Sequence, residues 1–154
     1  MNLQIRRMSL ADVGEVQQID QLSFSLPWPE RSFRFELTQN PTTRAWVAEL
    51  DGRIAAMLVL WLVVDEAHIA TIATHPDFRR RGIGERLMME ALVSARAEGG
   101  ERAFLEVRES NQAAQAMYLK YGFEVVGRRP KYYQDNQEDA ILMNLEDLSA
   151  LEVS

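Results

Sequence analysis

The chain has 154 residues, a formal net charge of −6, 47% apolar residues and no cysteine. That length suits one domain over 1–154 with a real core, and that composition excludes general disorder. The acidic balance argues against nucleic acid as the partner, and the missing thiols exclude disulfides, cysteine nucleophiles and cysteine metal sites.

"LQIRRM" reads as a short edge strand. "SLADVGEVQQIDQLSF" follows as a helix with Ser9 as N-cap, and Leu10, Val13, Val16, Ile19 and Leu22 recur near helical spacing. "SLPWP" stops it with two prolines, and "PERSFRFELTQ" is a second short helix with Pro29 near its start. "RAWVAEL" and "RIAAMLVLWLVVD" are strand-like, and the "DG" between them predicts a hairpin. The longest apolar run, Ile54 to Val64, falls short of the ~20 residues that span a bilayer. The N-terminus lacks the apolar stretch of a signal peptide. A soluble, cytoplasmic chain with no membrane partner is therefore expected.

"EAHIATIAT" continues as a strand. His68 and His75 have odd spacing, which turns them to opposite faces of one strand, so no shared metal is expected. From about Gly82 to Ala97 the chain reads as a helix, with Ile83, Leu87, Ala91, Leu92 and Ala95 on one stripe and "EGG" at its end. "RAFLEVR" is a compact strand. Ser110 is the expected cap of the helix "NQAAQAMYLKY", and Gly122 its stop. "FEVVGR" and "DAILMNL" are the last strands, joined by the polar loop "RPKYYQDNQE". The order β-α-α-β-β-β-α-β-α-β-β predicts an α/β (α+β) fold, a mixed sheet with helices packed on it.

The densest positive charge lies in "RRRGIG", Arg79 to Gly84, at the mouth of a helix. A helix N-terminus offers unpaired backbone N–H groups and the positive end of the macrodipole, so anions bind there. Gly82 and Gly84 have no side chain to block such an approach, and Arg79, Arg80 and Arg81 can add charge-assisted hydrogen bonds. The stretch suits a pyrophosphate. It is neither a Walker A loop nor a G-x-G-x-x-G turn, because no Gly-Lys-Ser/Thr follows and Leu87 fills the third glycine position. An exposed basic loop ahead of an ordinary helix start accounts for the charge pattern equally well.

The order strand, loop, R-R-R-G-I-G, helix resembles the acyl-CoA signature Q/R-x-x-G-x-G/A of the GNAT superfamily of N-acetyltransferases, with Arg79, Gly82 and Gly84 in the signature positions. The resemblance extends from "LQIRRM" to "AILMNL". Within the superfamily, "PWPERSF", "IATHPDFRRRGIG", "LEVRESNQAAQAMYLKYGF" and "KYYQDNQEDAILM" are most similar to the branch that acetylates the N-terminal alanine of a small-subunit ribosomal protein. The resemblance implies a mixed, mostly antiparallel sheet of about seven strands, with a central parallel splayed pair and about four flanking helices. It implies acetyl-CoA between "HIATIAT" and "RAFLEVR", and no metal. The backbone of Ile72, Ala73 and Thr74 would meet the pantetheine arm and polarise the thioester carbonyl. That of Arg80, Arg81, Gly82, Ile83, Gly84 and Glu85 would hold the pyrophosphate. Thr74 stands where many members carry valine. The resemblance also gives Asn111 a cofactor contact.

Acetyl transfer to an amine needs a base for the amine, stabilisation of the oxyanion and a proton for the leaving thiolate. Glu106 is the candidate base. It interrupts the apolar run "AFLEV" and shares a face with Phe104 and Arg108. The competing reading pairs it with Arg108 or the basic turn; the resemblance favours the base. Tyr118, in "AMYLKYGF", is the candidate acid, against plain packing and against Tyr121 as a neighbouring rival; the family spacing favours Tyr118. Trp28, Tyr132 and Tyr133 are candidate walls of a slot for a protein or peptide N-terminus, or else aromatics that pin two loops. Glu138 and Asp139 read as hairpin charges; His68 is read as a core or edge histidine in preference to one facing the cleft. Without a cysteine, direct transfer is expected. A small amine or lysine acceptor, and a non-catalytic acyl-CoA-binding module, are the competing functions.

Overall fold

A computed structural model describes residues 2–151. Its elements are β1 (Leu3–Arg7), α1 (Val13–Ser23), α2 (Glu30–Thr38), β2 (Thr43–Leu50), β3 (Arg53–Val63), β4 (Glu66–Thr74), α3 (Ile83–Ala97), β5 (Arg102–Arg108), α4 (Gln112–Lys120), β6 (Glu124–Arg129) and β7 (Ala140–Leu145). The strands form one seven-stranded sheet in the order β1-β2-β3-β4-β5-β7-β6. Every neighbouring pair is antiparallel except β4 and β5, which are parallel.

Local chemistry accounts for the framework. Asp51 and Gly52 both adopt left-handed backbone, φ 50° and 85°, as the tight turn between β2 and β3 requires. Side chains alternate along β3. Val59 faces the core under α1 and α2, and Leu58 and Leu60 face the core under α3 and α4. A strand buried on both faces reads as one apolar run, which explains Ile54 to Leu62, whereas Val63 and Val64 are exposed. No helix among the described residues is long and apolar enough to cross a membrane.

Two helix starts differ from expectation. The first helix does not begin at Leu10. Leu10–Asp12 form a tighter 3-10 turn, and α1 starts at Val13. Val13, Val16 and Ile19 are buried as the stripe requires, whereas Leu10 and Leu22 are 45% and 52% exposed. The cause is Asp12, whose carboxylate accepts the Ser9 backbone N–H at 2.7 Å and pulls the entry into a closed loop. Nor does Ser110 cap α4. Asn111 does so, its side-chain oxygen accepting the Ala114 N–H at 3.2 Å, while the Ser110 N–H is taken by Glu138.

Arg6 ties the sheet edge to this first turn. Its guanidinium grips both Asp12 oxygens, at 2.8 and 2.9 Å, and reaches Glu49 at 2.8 Å. The Asp12 side chain is 9% exposed. Replacing Asp12 by alanine is expected to cost about 2 kcal/mol in denaturant unfolding, because the charge-assisted pair with Arg6 and the bond to the Ser9 N–H go together. Arg6 holds the Asp12 carboxyl below its ordinary value, so this contribution is present near neutral pH. It is lost as pH falls through the lowered pKa. The gap between wild type and Asp12→Ala should therefore narrow in acid; a gap constant down to pH ~2 would remove the pair as its source.

Candidate active site

β4 and β5 pair only at their first residues, where Glu66, Ala67 and His68 face Arg102, Ala103 and Phe104. Beyond His68 the strands part. On its other side β4 stays paired to β3 as far as Thr74 opposite Ala56. The register slips within this ladder, since Val59 faces Thr71 and Leu60 faces Ile69. Ala70 is the extra residue of a β-bulge, two positions past the last β5 pair. A bulge bends its strand and sharpens the twist, which swings β4 away from β5. The β5-facing backbone groups of Ile72, Ala73 and Thr74 have no strand partner among the described residues. Such groups need another acceptor or donor, and an extended ligand laid in the gap supplies one.

The basic turn closes the same end. Arg80 and Gly82 are left-handed, φ 65° and 73°, and Gly82 caps α3. A non-glycine residue held at positive φ stores strain of the kind found at ligand sites. The backbone N–H groups of residues 80–85 donate to no acceptor among the described residues. Gly84 presses against β4: a Cβ there would stand 2.9 Å from the Thr74 hydroxyl oxygen. The three arginines divide their work. Arg79 donates from Nε to the Thr74 carbonyl at 3.1 Å and reaches the Ser23 hydroxyl at 3.4 Å, so it braces the end of β4. Arg81 lies over the Phe78 ring, 5.5 Å from its centroid. Arg80 is exposed.

Glu106 lies on β5 opposite Leu142 of β7. Leu105 and Val107 point into the core under α3 and α4, so Glu106 points to the other face, that of α1 and α2. Arg108 does not pair with it. Arg108 is taken by Asp135, through two bonds of 3.1 Å, and by Glu138 at 3.5 Å. The nearby Glu106 carboxylate raises the Tyr132 pKa. Tyr133 is close enough that the Glu106 charge adds to the rise that burial gives it. The structure thus brings Glu106, Tyr132 and Tyr133 together. Trp28 stands on the α1–α2 loop against Phe33, with its backbone N–H on the buried Asp20 at 2.7 Å.

Tyr118 sits on the opposite face, 4% exposed, in the core under α3 and α4 beside Phe123. Burial raises its phenol far above the usual range, and Tyr133 adds to the rise. Tyr133 therefore lies near both candidate residues. Tyr121, the rival, donates its hydroxyl to Glu85 at 2.8 Å, where Lys120 also binds at 3.0 Å. Asn111 is a helix cap, as described. His68 is half-buried among aromatics, in keeping with a core or edge histidine. It is the last residue of β4 paired to β5, its ring stacks on Phe104 at 4.6 Å, and Trp61 meets its edge at 5.2 Å. Burial lowers its pKa, and the Glu106 charge opposes that shift. Alternation in "EAHIATIAT" was the signal for its face; nothing in the sequence marks it as the vertex of the gap.

Comparison with known proteins matches residues 13–123 to the Acetyltransferase (GNAT) family. A Bacillus subtilis relative, provisionally named a ribosomal protein bS18-alanine N-acetyltransferase, is 40% identical over 90% of this chain and 92% of its own. The ribosomal protein bS18-alanine N-acetyltransferase of Escherichia coli K12 is 34% identical over 92% of this chain and 95% of its own. The crystal structure of the ribosomal-protein-S18-alanine N-acetyltransferase from Escherichia coli superposes with a TM-score of 0.86 at 32% identity, covering 94% of this chain and 93% of that one. With its seven-stranded sheet parted at one parallel pair, the chain belongs to the GNAT acetyltransferase family and is an acetyl-CoA-dependent N-acetyltransferase.

Proposed function

We propose that the protein transfers acetyl directly from acetyl-CoA to the α-amine of a protein N-terminus, with Glu106 as base and Tyr118 as proton donor. The observation that carries this reading is Glu106 on β5, the strand that parts from β4 beyond His68, with Tyr118 in the core on the opposite face of the sheet. Acetyl-CoA supplies the activated thioester. The N–H groups of Arg80 through Glu85, with Arg80 and Arg81 beside them, suit its pyrophosphate. The free edge of Ile72, Ala73 and Thr74 suits its pantetheine arm and offers donors to the thioester carbonyl. Arg79, in the first position of the signature, also supports that edge through the Thr74 carbonyl.

Glu106 has no cationic partner among the described residues, which leaves its carboxylate available to an incoming ammonium group. An α-amine has a pKa of about 8, so most of it arrives protonated at neutral pH. Glu106 takes that proton, directly or through water. Burial keeps the Tyr118 hydroxyl protonated, and in this reading it supplies the proton for the leaving thiolate. Tyr132, Tyr133 and Trp28 wall the acceptor slot. The names of the Escherichia coli and Bacillus subtilis relatives support the N-terminal alanine of ribosomal protein bS18 as the acceptor and, with it, a cytoplasmic reaction.

Mass spectrometry after incubation with acetyl-CoA and two peptides tests the reading. One peptide begins with a free alanine followed by arginine; the other has the same sequence with a blocked N-terminus and one lysine. Acetylation of the free alanine alone is expected. Product on the lysine would move the acceptor class to side-chain amines, and product on neither would leave a small amine or no acceptor.

A further inference from the structure

We propose that Asp135 is a positioning residue that latches the two acceptor loops together and so sets the width of the acceptor slot. The inference rests on the acceptor reading above for its kinetic consequence, but not for the latch itself. The loop between α1 and α2 carries Trp28, and the loop between β6 and β7 carries Tyr132 and Tyr133. Each is anchored on its own side. Asp20 holds the Trp28 N–H, while Asp139 holds the Lys131 N–H at 2.9 Å and Arg128 at 2.7 Å. Among the described residues, the hydrogen bond from the Ser25 hydroxyl to Asp135 is the one that joins the loops.

Asp135 is placed for that work and for little else. One carboxylate oxygen accepts from Arg108 at 3.1 Å and from the Asn136 N–H at 3.0 Å; the other accepts from Arg108 at 3.1 Å and from Ser25. Four donors fill the usual accepting capacity of a carboxylate, so Asp135 has no lone pair left for a proton or a metal. Its side chain is 20% exposed and that of Arg108 is 21% exposed. Ser25 and Arg108 together hold it below the ordinary aspartate range, so the latch stays charged near neutral pH. The guanidinium of Arg108 also lies over the Tyr133 ring, 4.0 Å from its centroid. Ser25, Asp135, Arg108 and Tyr133 thus form one chain of contacts from the first loop to the aromatic wall beside Glu106, at the end of the same strand.

The test uses Ser25→Ala, Ser25→Thr, Asp135→Ala and the double variant Ser25→Ala/Asp135→Ala. Hydrogen exchange of residues 24–29 should speed up in Asp135→Ala, although the substitution lies far away in the sequence. Unchanged exchange there would overturn the latch whatever the acceptor proves to be. In steady-state kinetics with the free-alanine peptide, Ser25→Ala should raise the peptide KM roughly three- to tenfold, and Asp135→Ala more. The acetyl-CoA KM should stay within about twofold. The double variant should match Asp135→Ala alone, and Ser25→Thr should restore the wild-type value. Equal changes in both KM values, or additive effects, would reduce Asp135 to a structural residue. If the wild type acetylates no free N-terminus, the acceptor reading fails by itself, and the exchange result alone decides the latch.

Discussion

Replacing Glu106 by glutamine is expected to slow acetyl transfer by about 10²- to 10⁴-fold while acetyl-CoA binds as before. The substitution keeps the shape of the side chain and a polar group beside Tyr132. It strands no buried cation, because Arg108 is already bound to Asp135 and Glu138. The fold should therefore survive, and the loss should appear in kcat. Titration calorimetry with acetyl-CoA separates binding from turnover. The deficit should shrink as pH rises past the α-amine pKa of about 8, because the acceptor then arrives unprotonated. A variant within threefold of wild type at neutral pH would eliminate Glu106 as base. A deficit that stays constant to pH ~9.5 would make its role electrostatic, as an anchor for the ammonium group.

Much of the frame that holds Glu106 is legible in the residues. "DG" between two apolar runs demands left-handed backbone, and both residues adopt it. The stripe Ile83, Leu87, Ala91, Leu92 and Ala95 is buried along α3 as its period requires. "AFLEV" alternates cleanly, so the face of Glu106 follows from the pleat alone. These are local rules, each decided within about ten residues.

What the residues hide is decided by partners distant in the chain. No glycine or proline in "HIATIAT" marks the bulge at Ala70, yet that bulge accompanies the parting of β4 from β5. The choice of Asn111 over Ser110 as cap depends on Glu138 taking the Ser110 N–H across 28 positions. Arg79 belongs to a signature read as a phosphate contact, but its guanidinium turns to the Thr74 carbonyl. Arg108 was a rival claimant for Glu106, and only the β6–β7 loop reveals its other partners. Charge pattern lists the possible pairs, and the fold chooses among them. Among the described residues Glu106 is left without a cation, because Arg108 binds Asp135 and Glu138 instead.

Replacing Tyr118 by phenylalanine is expected to lower kcat by about 10²-fold, with acetyl-CoA binding within twofold of wild type. Phenylalanine fills the same space beside Phe123, so the core under α3 and α4 stays packed and unfolding by heat should change little. What goes is one O–H at the thiolate. The raised pKa of this phenol favours donation of a hydrogen bond over early release of the proton. The charge on sulfur should therefore draw the proton late, as the C–S bond breaks. The deficit should then depend on the leaving group: an acetyl thioester whose thiol is more acidic should lose less when Tyr118 is removed. A raised pKa also means that Tyr118 produces no alkaline fall in rate below its ordinary value of about 10. Tyr121→Phe provides the control. Its hydroxyl is committed to Glu85, so its loss should move acetyl-CoA affinity more than kcat. If Tyr121→Phe instead costs the turnover and Tyr118→Phe does not, the proton donor lies one turn further along the chain, and Tyr118 is core packing.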